Sequence, residues 1–237
     1  MTTIFITRWY HIFVQPFFFI RKGINKDVKA LAPQCTGKVL DFGCGAKPYL
    51  GYFGHADEYT GLDIEHSGHP HLNEHIDVFY DGKKIPFADK SFDSVFSSEV
   101  FEHVFNIEEV LPEIHRVLKP GGKMLLTCPF AWPEHEVPYD FCRYSSFGIR
   151  HVLEKAGFKI IDQRKSGHFF EVVMQYLIFY IFCFIPKKPA FVYYILYQLF
   201  ILPFMLFTII ISFLLPKRMK RKDLYFNNIV LVEKKDS

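Results

Sequence analysis

Two glycines and an acid carry the strongest chemical signal in this chain. Asp41-Phe42-Gly43-Cys44-Gly45 closes a short apolar run, and Asp63 closes the next one about 20 residues later. Glycines allow a positive φ and a close approach of backbone to ligand. A carboxylate at the end of the second run can accept hydrogen bonds from both hydroxyls of a ribose. The pair therefore points to a nucleoside-containing cofactor at the C-terminal edge of a parallel sheet. The dinucleotide fingerprint requires a third glycine, G-x-G-x-x-G, and Pro48 occupies that place in Gly43-Cys44-Gly45-Ala46-Lys47-Pro48. A pyrophosphate cradle is disfavoured, and a cofactor with a ribose but no phosphate fits better.

A second group of reactive side chains lies in residues 129–144, PFAWPEHEVPYDFCRY. The stretch is dense in aromatic, proline and titratable residues, which is unusual for an idle loop. A histidine ordinarily titrates near neutrality, so His135 is a candidate to take a proton from a hydroxyl. Asp140 and Arg143 can orient a polar acceptor, or pair with each other and hold a lid. Tyr139 and Tyr144 can form a wall. His103, beside Glu102, serves equally well as a packing or capping residue. His66, His69, His71 and His75 crowd one loop without any cysteine, in a stretch rich in Pro, Gly and Asn, so no metal site is expected there.

These side chains need elements to position them. Lys38–Phe42, Glu58–Ile64, Ser91–Ser97, Lys123–Cys128 and Phe158–Ile161 read as strands. Ile107, Val110, Leu111, Ile114 and Leu118 have helical spacing up to Lys119, where Pro120-Gly121-Gly122 interrupts. Ser146–Ala156 reads as a further helix closed by Gly157. Strands alternating with helices predict an α/β fold with a doubly wound parallel sheet.

Taken together, these stretches resemble class I S-adenosylmethionine-dependent methyltransferases of the type 11 kind, the branch that includes small-molecule and quinone methyltransferases. Val39–Gly45 is similar to the family's first motif and Tyr59–Asp63 to its ribose-binding motif. Asp81–Phe87 with Lys90–Asp93 is similar to its adenine loop and fourth strand, and Ser98–Val104 and Leu118–Gly122 complete the series. The likeness covers about residues 35–165. It implies a Rossmann-like seven-stranded sheet with an antiparallel last strand, and S-adenosyl-L-methionine as cofactor. By position, Asp41 with the Gly43-Cys44-Gly45 turn would hold the methionyl end and Asp63 the ribose. Asp81, with Asp77 as the competing choice, would contact the adenine amine, and Glu99 would face the methionine part. The resemblance places the acceptor beside residues 129–144, making His135, Asp140 and Arg143 the catalytic candidates. Similar segments in methyltransferase-like proteins of surface-glycan clusters point to a sugar or lipid-linked acceptor. Methyl transfer from a sulfonium needs chiefly alignment, with a base only where the acceptor must lose a proton.

The chain has 237 residues, a formal net charge of +3, 50% hydrophobic and 18% aromatic residues. That composition excludes a disordered chain, and so small a charge gives no case for nucleic-acid binding. The mean hydropathy of +0.09 has a local source: residues 167–216 contain only Glu171, Lys187 and Lys188 as charges. Fifteen uncharged residues separate Glu171 from Lys187, and 28 separate Lys188 from Lys217, where a basic cluster begins with Lys217, Arg218, Lys220, Arg221 and Lys222. Beyond it, residues 228–233 resemble the family's final antiparallel strand. The apolar stretch thus reads as a helical insertion in the last β-hairpin, with Lys187-Lys188 at its tip. If residues 228–233 pair in the sheet, a single membrane crossing is excluded and a two-pass or re-entrant hairpin is allowed. A dimer interface or extra core layer is the other use for such a surface. Five scattered cysteines without a CxxC fit a reduced compartment. The aromatic N-terminus reads either as an interfacial helix or as a helix packed on the sheet.

The expected organisation is an N-terminal segment 1–34, a methyltransferase domain 35–170 with 224–237, and an apolar insertion 171–223. The expected function is methyl transfer to a small lipidic or lipid-linked acceptor on the cytoplasmic face of a membrane reached through 172–216. A soluble-substrate O-methyltransferase with a dimerising hairpin and a catalytically silent cofactor-binding protein are the alternatives. The oligomeric state is left open.

Overall fold

The computed structural model describes residues 5–6, 8–65 and 75–235. His66, His69 and His71 lie outside the described residues. The chain divides into two compact units, one of residues 26–164 with 227–237 and one of residues 1–25 with 165–226. The N-terminal segment therefore groups with the apolar stretch.

The larger unit is built on a seven-stranded sheet. Its strands are β1 Lys38–Phe42, β2 Glu58–Ile64, β3 Val78–Tyr80, β4 Phe92–Ser98, β5 Leu118–Pro129, β6 Phe158–Lys165 and β7 Asn227–Lys234, in the order β3-β2-β1-β4-β5-β7-β6. β1 pairs in parallel with β2 on one side and β4 on the other, while β7 runs antiparallel to β5 with Thr127 opposite Ile229. The sequence reading of a doubly wound sheet with an antiparallel last strand holds. The strand order reverses at β1, so the crevice at the C-terminal ends of β1 and β4 is the place where such sheets take ligands.

Helix α1 spans Phe18–Leu31, α2 Ile107–Val117 and α3 Ser146–Lys155. The apolar stripe of α2, Ile107, Val110, Leu111, Ile114 and Val117, is wholly buried in the core with Leu40, Phe42, Val95 and Leu126. The helix stops two residues before the expected Lys119. Pro120 disfavours the helical region at Lys119, and Leu118 pairs with Phe92 as the start of β5. Ser145 caps α3 by accepting the Gly148 N–H at 3.1 Å. β3 was not expected, since three residues are too few to show a period. β6 runs four residues beyond Ile161, because Arg164 on this edge strand finds Asp162 and Asp27 as partners.

The smaller unit holds helices α4 Phe169–Cys183 and α5 Ala190–Leu214, the latter with a π-helical turn at Tyr197–Ile201 just before Pro203. Three polar side chains of these apolar helices donate to carbonyls of the N-terminal segment. Gln175 Nε2 donates to the Pro16 carbonyl at 2.8 Å, Tyr197 Oη to Ile12 at 3.0 Å and Gln198 Nε2 to Phe13 at 3.0 Å. Residues 12–16 thus cover the apolar helices, a third arrangement beside the two expected for the N-terminus. A row of large apolar side chains stays exposed, among them Phe184, Phe200, Phe207, Ile210 and Phe213.

Candidate active site

The turn after β1 is bound to the end of β2. Gly43 and Cys44 donate their N–H groups to the Leu62 carbonyl at 2.8 and 3.1 Å, and Gly45 donates to Asp63 Oδ2 at 2.7 Å. Gly43 has φ +72° and Gly45 +45°. A Cβ on Gly43 would lie 2.3 Å from Val100 Cγ2, so both conformation and space demand glycine there. The N–H groups of Gly43 and Gly45 are engaged inside the protein. Their contribution to a ligand is a bare, close backbone rather than hydrogen-bond donors. Cys44 is buried, with its thiol against Gly61, where an added Cβ would sit 2.7 Å from Sγ.

Asp63 also accepts the Ile64 N–H on Oδ1 at 2.8 Å. Both oxygens of Asp63 therefore hold backbone N–H groups, one from the turn after β1 and one at the end of β2. Asp41 is buried and accepts the Tyr59 hydroxyl at 2.6 Å. Burial pushes its carboxyl up to about 7, against the Tyr59 hydrogen bond. Asp77 accepts the Gly61 N–H at 2.6 Å and pairs with Lys47. Burial opposes its charge, but these two partners hold its carboxyl below the usual value. Asp81 is exposed and accepts Lys83 and Lys84 N–H at 2.9 and 3.1 Å, an Asx turn. That turn abuts the end of β2, since a Cβ on Gly82 would come within 3.0 Å of Ile64 Cδ1. Of the two acids, Asp77 is committed to internal partners and Asp81 faces outward.

Glu99 follows β4 with φ +56°. Thr127 Oγ1 donates to its Oε1 at 2.7 Å and Asn227 Nδ2 to its Oε2 at 2.6 Å, which ties the ends of β4, β5 and β7 together. Three residues on, Glu102 is completely buried, and neither carboxylate oxygen has a hydrogen-bond partner among the described residues. Burial first, then the charge of Glu99, pushes its carboxyl well above the ordinary range.

Within 129–144, Asp140 and Arg143 pair with each other, Arg143 Nη2 donating to Oδ2 at 2.6 Å. Arg143 also donates to the carbonyls of Trp132, Pro133 and Cys142. Asp140, despite its burial, is held down to about 2 by Arg143 and the His135 N–H. The two residues act as the fastener of this segment. His135 is the member of the trio that approaches other reactive groups: its ring lies 5.0 Å from that of His103. His103 Nδ1 lies 2.7 Å from the Tyr139 carbonyl, and the Phe141 and Cys142 N–H groups donate to the Glu102 carbonyl at 2.8 and 3.2 Å. Tyr139 is exposed, while Tyr144 leans on the core and its carbonyl accepts from Asn228 at 2.7 Å.

Residues 40–126 match the family profile described as a methyltransferase domain. Over that segment the chain is similar to class I S-adenosylmethionine-dependent methyltransferases. It is 29% identical over 149 residues to a probable S-adenosylmethionine-dependent methyltransferase of Mycolicibacterium smegmatis, covering 56% of each chain. It is 32% identical over 110 residues to a fatty-acid O-methyltransferase of the same organism, covering 43% of this chain and 39% of the relative. The chain thus spans little more than half the length of the first of these relatives and less of the second. An S-adenosylmethionine-dependent methyltransferase of known structure from Mesorhizobium loti superposes with a TM-score of 0.53 at 15% identity, covering 90% of this chain and 98% of that one, a likeness of fold.

Sequence reasoning passed over several residues of this candidate site. Tyr59 on Asp41, Lys47 on Asp77 and Asn227 on Glu99 have no local signature. Glu102 had one: the run Glu99-x-x-Glu102-His103 places two acids and an imidazole directly after a strand that ends in the crevice.

Proposed function

We propose that this protein transfers a methyl group from S-adenosyl-L-methionine to a small lipidic or lipid-linked acceptor at a membrane surface. The observation that carries the cofactor half is the Gly45 to Asp63 hydrogen bond at the switch point of the sheet. It presents a bare backbone turn beside a carboxylate, the acceptor type that suits the hydroxyl donors of a ribose. Asp63 would hold the ribose hydroxyls, Asp81 the adenine amine, and Asp41 and Glu99 the positively charged methionine end. The cofactor supplies a methyl group on a sulfonium, already activated for displacement. The protein's own task is to align the acceptor and exclude water, and residues 129–144, fastened by Arg143 on Asp140, are placed for it.

The membrane half rests on the smaller unit. α5 has 25 residues and a mean hydropathy of 2.2, with only 28% of its most apolar window buried. At about 1.5 Å per residue, α5 is long enough for a bilayer core of about 30 Å, and α4, with 15 residues, falls short. The Phe226 N–H donates to the Ser166 carbonyl at 2.8 Å, so the two ends of the apolar stretch lie side by side. A hairpin that dips into the near leaflet satisfies both facts, with the basic cluster 217–222 toward anionic headgroups on the cytoplasmic face. The fatty-acid O-methyltransferase among the relatives supports an acceptor of lipid character.

Methyl transfer from labelled S-adenosylmethionine into a total lipid extract, followed by mass spectrometry, tests the reading. Label in a lipid product is expected. Label confined to water-soluble products would overturn the lipid acceptor.

A further inference from the structure

On the acceptor side of the crevice, one side chain of the larger unit stands in an arrangement that protein neighbours alone leave incomplete. Glu102 is fully buried, and both its oxygens lack hydrogen-bond partners among the described residues. A buried carboxylate without donors is costly unless something cationic compensates it. The groups it meets are imidazoles. One ligand atom from each of Glu102, His103 and His135 lies within 4.8 Å of the other two, and His103 Nε2 is 3.8 Å from Glu102 Oε1.

His103 is held as metal-ligating histidines are, with its second nitrogen on a protein oxygen. His103 Nδ1 lies 2.7 Å from the Tyr139 carbonyl, which leaves Nε2 with a lone pair toward Glu102. His135 Nδ1 lies 3.2 Å from Asp140 Oδ2 and 3.4 Å from Arg143 Nη2, which pairs with that carboxylate and so fixes the ring from one side. Glu136, with φ +53°, brings a further oxygen to 3.8 Å from His103 Nε2. The Phe141 and Cys142 N–H groups on the Glu102 carbonyl keep the two segments together.

We propose that Glu102, His103 and His135 bind a divalent first-row transition-metal ion, which takes an oxygen of the methyl acceptor as a further ligand. Two imidazoles and one carboxylate suit Mn²⁺, Fe²⁺, Co²⁺ or Zn²⁺ better than Mg²⁺ or Ca²⁺, which prefer all-oxygen sets. Donor–metal distances of about 2.0–2.2 Å require the three donors to close in slightly, a side-chain adjustment. The role of the ion rests on the methyltransferase reading: it would make a hydroxyl more acidic and fix its direction. The hydroxyl then gives its proton to water. Its oxygen forms a bond to the methyl carbon as the methyl–sulfur bond breaks, and the sulfur leaves as a neutral thioether. The acceptor atom so assigned is oxygen.

The test uses the full chain, stripped with a chelator and dialysed. Titration with MnCl₂, followed by calorimetry and by loss of the free-ion paramagnetic signal, is expected to show one equivalent bound, and ZnCl₂ is expected to compete for it. Glu102→Gln and His135→Ala should each weaken Mn²⁺ binding at least 10-fold, with S-adenosylmethionine affinity unchanged; His135→Ala, on a half-exposed residue, carries the test if the buried variant fails to fold. Asp63→Ala should bind Mn²⁺ as the natural protein does. Failure to bind either ion, or equal binding by natural protein and both variants, overturns the site. Methyl transfer at full rate with chelator present overturns the metal's role and leaves the methyltransferase standing. One tight equivalent of metal with no transfer to any lipid or soluble acceptor overturns the functional reading and leaves the site.

Discussion

Gly45 gives its backbone N–H to the Asp63 carboxylate at 2.7 Å, joining the turn after β1 to the end of β2. The contact sets the acid's rotamer before any ligand arrives, so cofactor binding pays little to order it. A charged hydrogen bond is worth about 1.5–3 kcal/mol. Asp63→Ala is therefore expected to weaken S-adenosylmethionine binding by roughly 10- to 100-fold in calorimetry. Asp63→Asn, which keeps one acceptor, should lie between the two. Equal affinity in all three proteins would remove Asp63 from the ribose site.

Gly43→Ala meets both a positive φ and a Cβ placed 2.3 Å from Val100 Cγ2. Left-handed backbone at a non-glycine costs about 1–2 kcal/mol, and the clash adds to it. A clear fall in melting temperature is expected, together with loss of cofactor binding. Combining it with Val100→Ala should recover part of the stability, since only the clash is relieved. A Gly43→Ala protein as stable as the natural one would contradict the geometry.

Asp41 links stability to pH. Its folded-state carboxyl titrates near 7 because it is buried, whereas an unfolded aspartate titrates near about 3.9. Between those values the folded state holds a proton that the unfolded state has lost, so stability falls as pH rises from about 4 to 7 and levels off above. Asp41→Asn removes this dependence. Its stability relative to the natural protein should therefore increase over that window, by an amount of the order of a few kcal/mol. Denaturant melts at pH 5, 6, 7 and 8 measure it, and parallel curves would refute the assignment.

Arg143 fastens residues 129–144 by pairing with the buried Asp140. Removing one partner of a buried pair leaves an uncompensated charge, at a cost of about 3 kcal/mol. Arg143→Ala should open this segment to limited proteolysis and reduce kcat/KM, with cofactor affinity kept. Arg143→Lys retains the charge without the two-pronged geometry and should recover only part of the protection. A segment equally protected in all three proteins would count against the fastener.

Phe207 and Phe213 on α5 are 54% and 80% exposed. Replacing both with aspartate leaves the packed face of the helix untouched. An aspartate costs about 2.5–3.5 kcal/mol at the centre of a membrane helix, so co-sedimentation with anionic vesicles should fall at least 100-fold. Undiminished sedimentation would argue against insertion of this hairpin.

Much of the fold was legible because its causes are local. The α2 stripe has a period of 3.6 residues, the apolar runs of β1 and β2 end in glycine or acid, and a 50-residue stretch with three charges needs no partner to be noticed. Gly43, Gly45 and Asp63 belong to the same class, since turn conformation and strand ends are properties of short segments. β3 escaped because three residues show no period. The ends of α2 and β6 shifted because a partner strand and a distant acid overruled local preference. The acceptor side depended on tertiary structure for a different reason. Glu99 takes its hydrogen bond from Asn227, 128 positions away, and Glu102 meets His135 only because the ends of β4 and β5 lie side by side. Burial decides whether a carboxylate is solvated or left to find a cation, and burial is a property of the packed molecule. The amino-acid order determined the glycine turn and strand-end acid that point to a nucleoside cofactor; the packing of the sheet's C-terminal edge decided which side chains gather beside them.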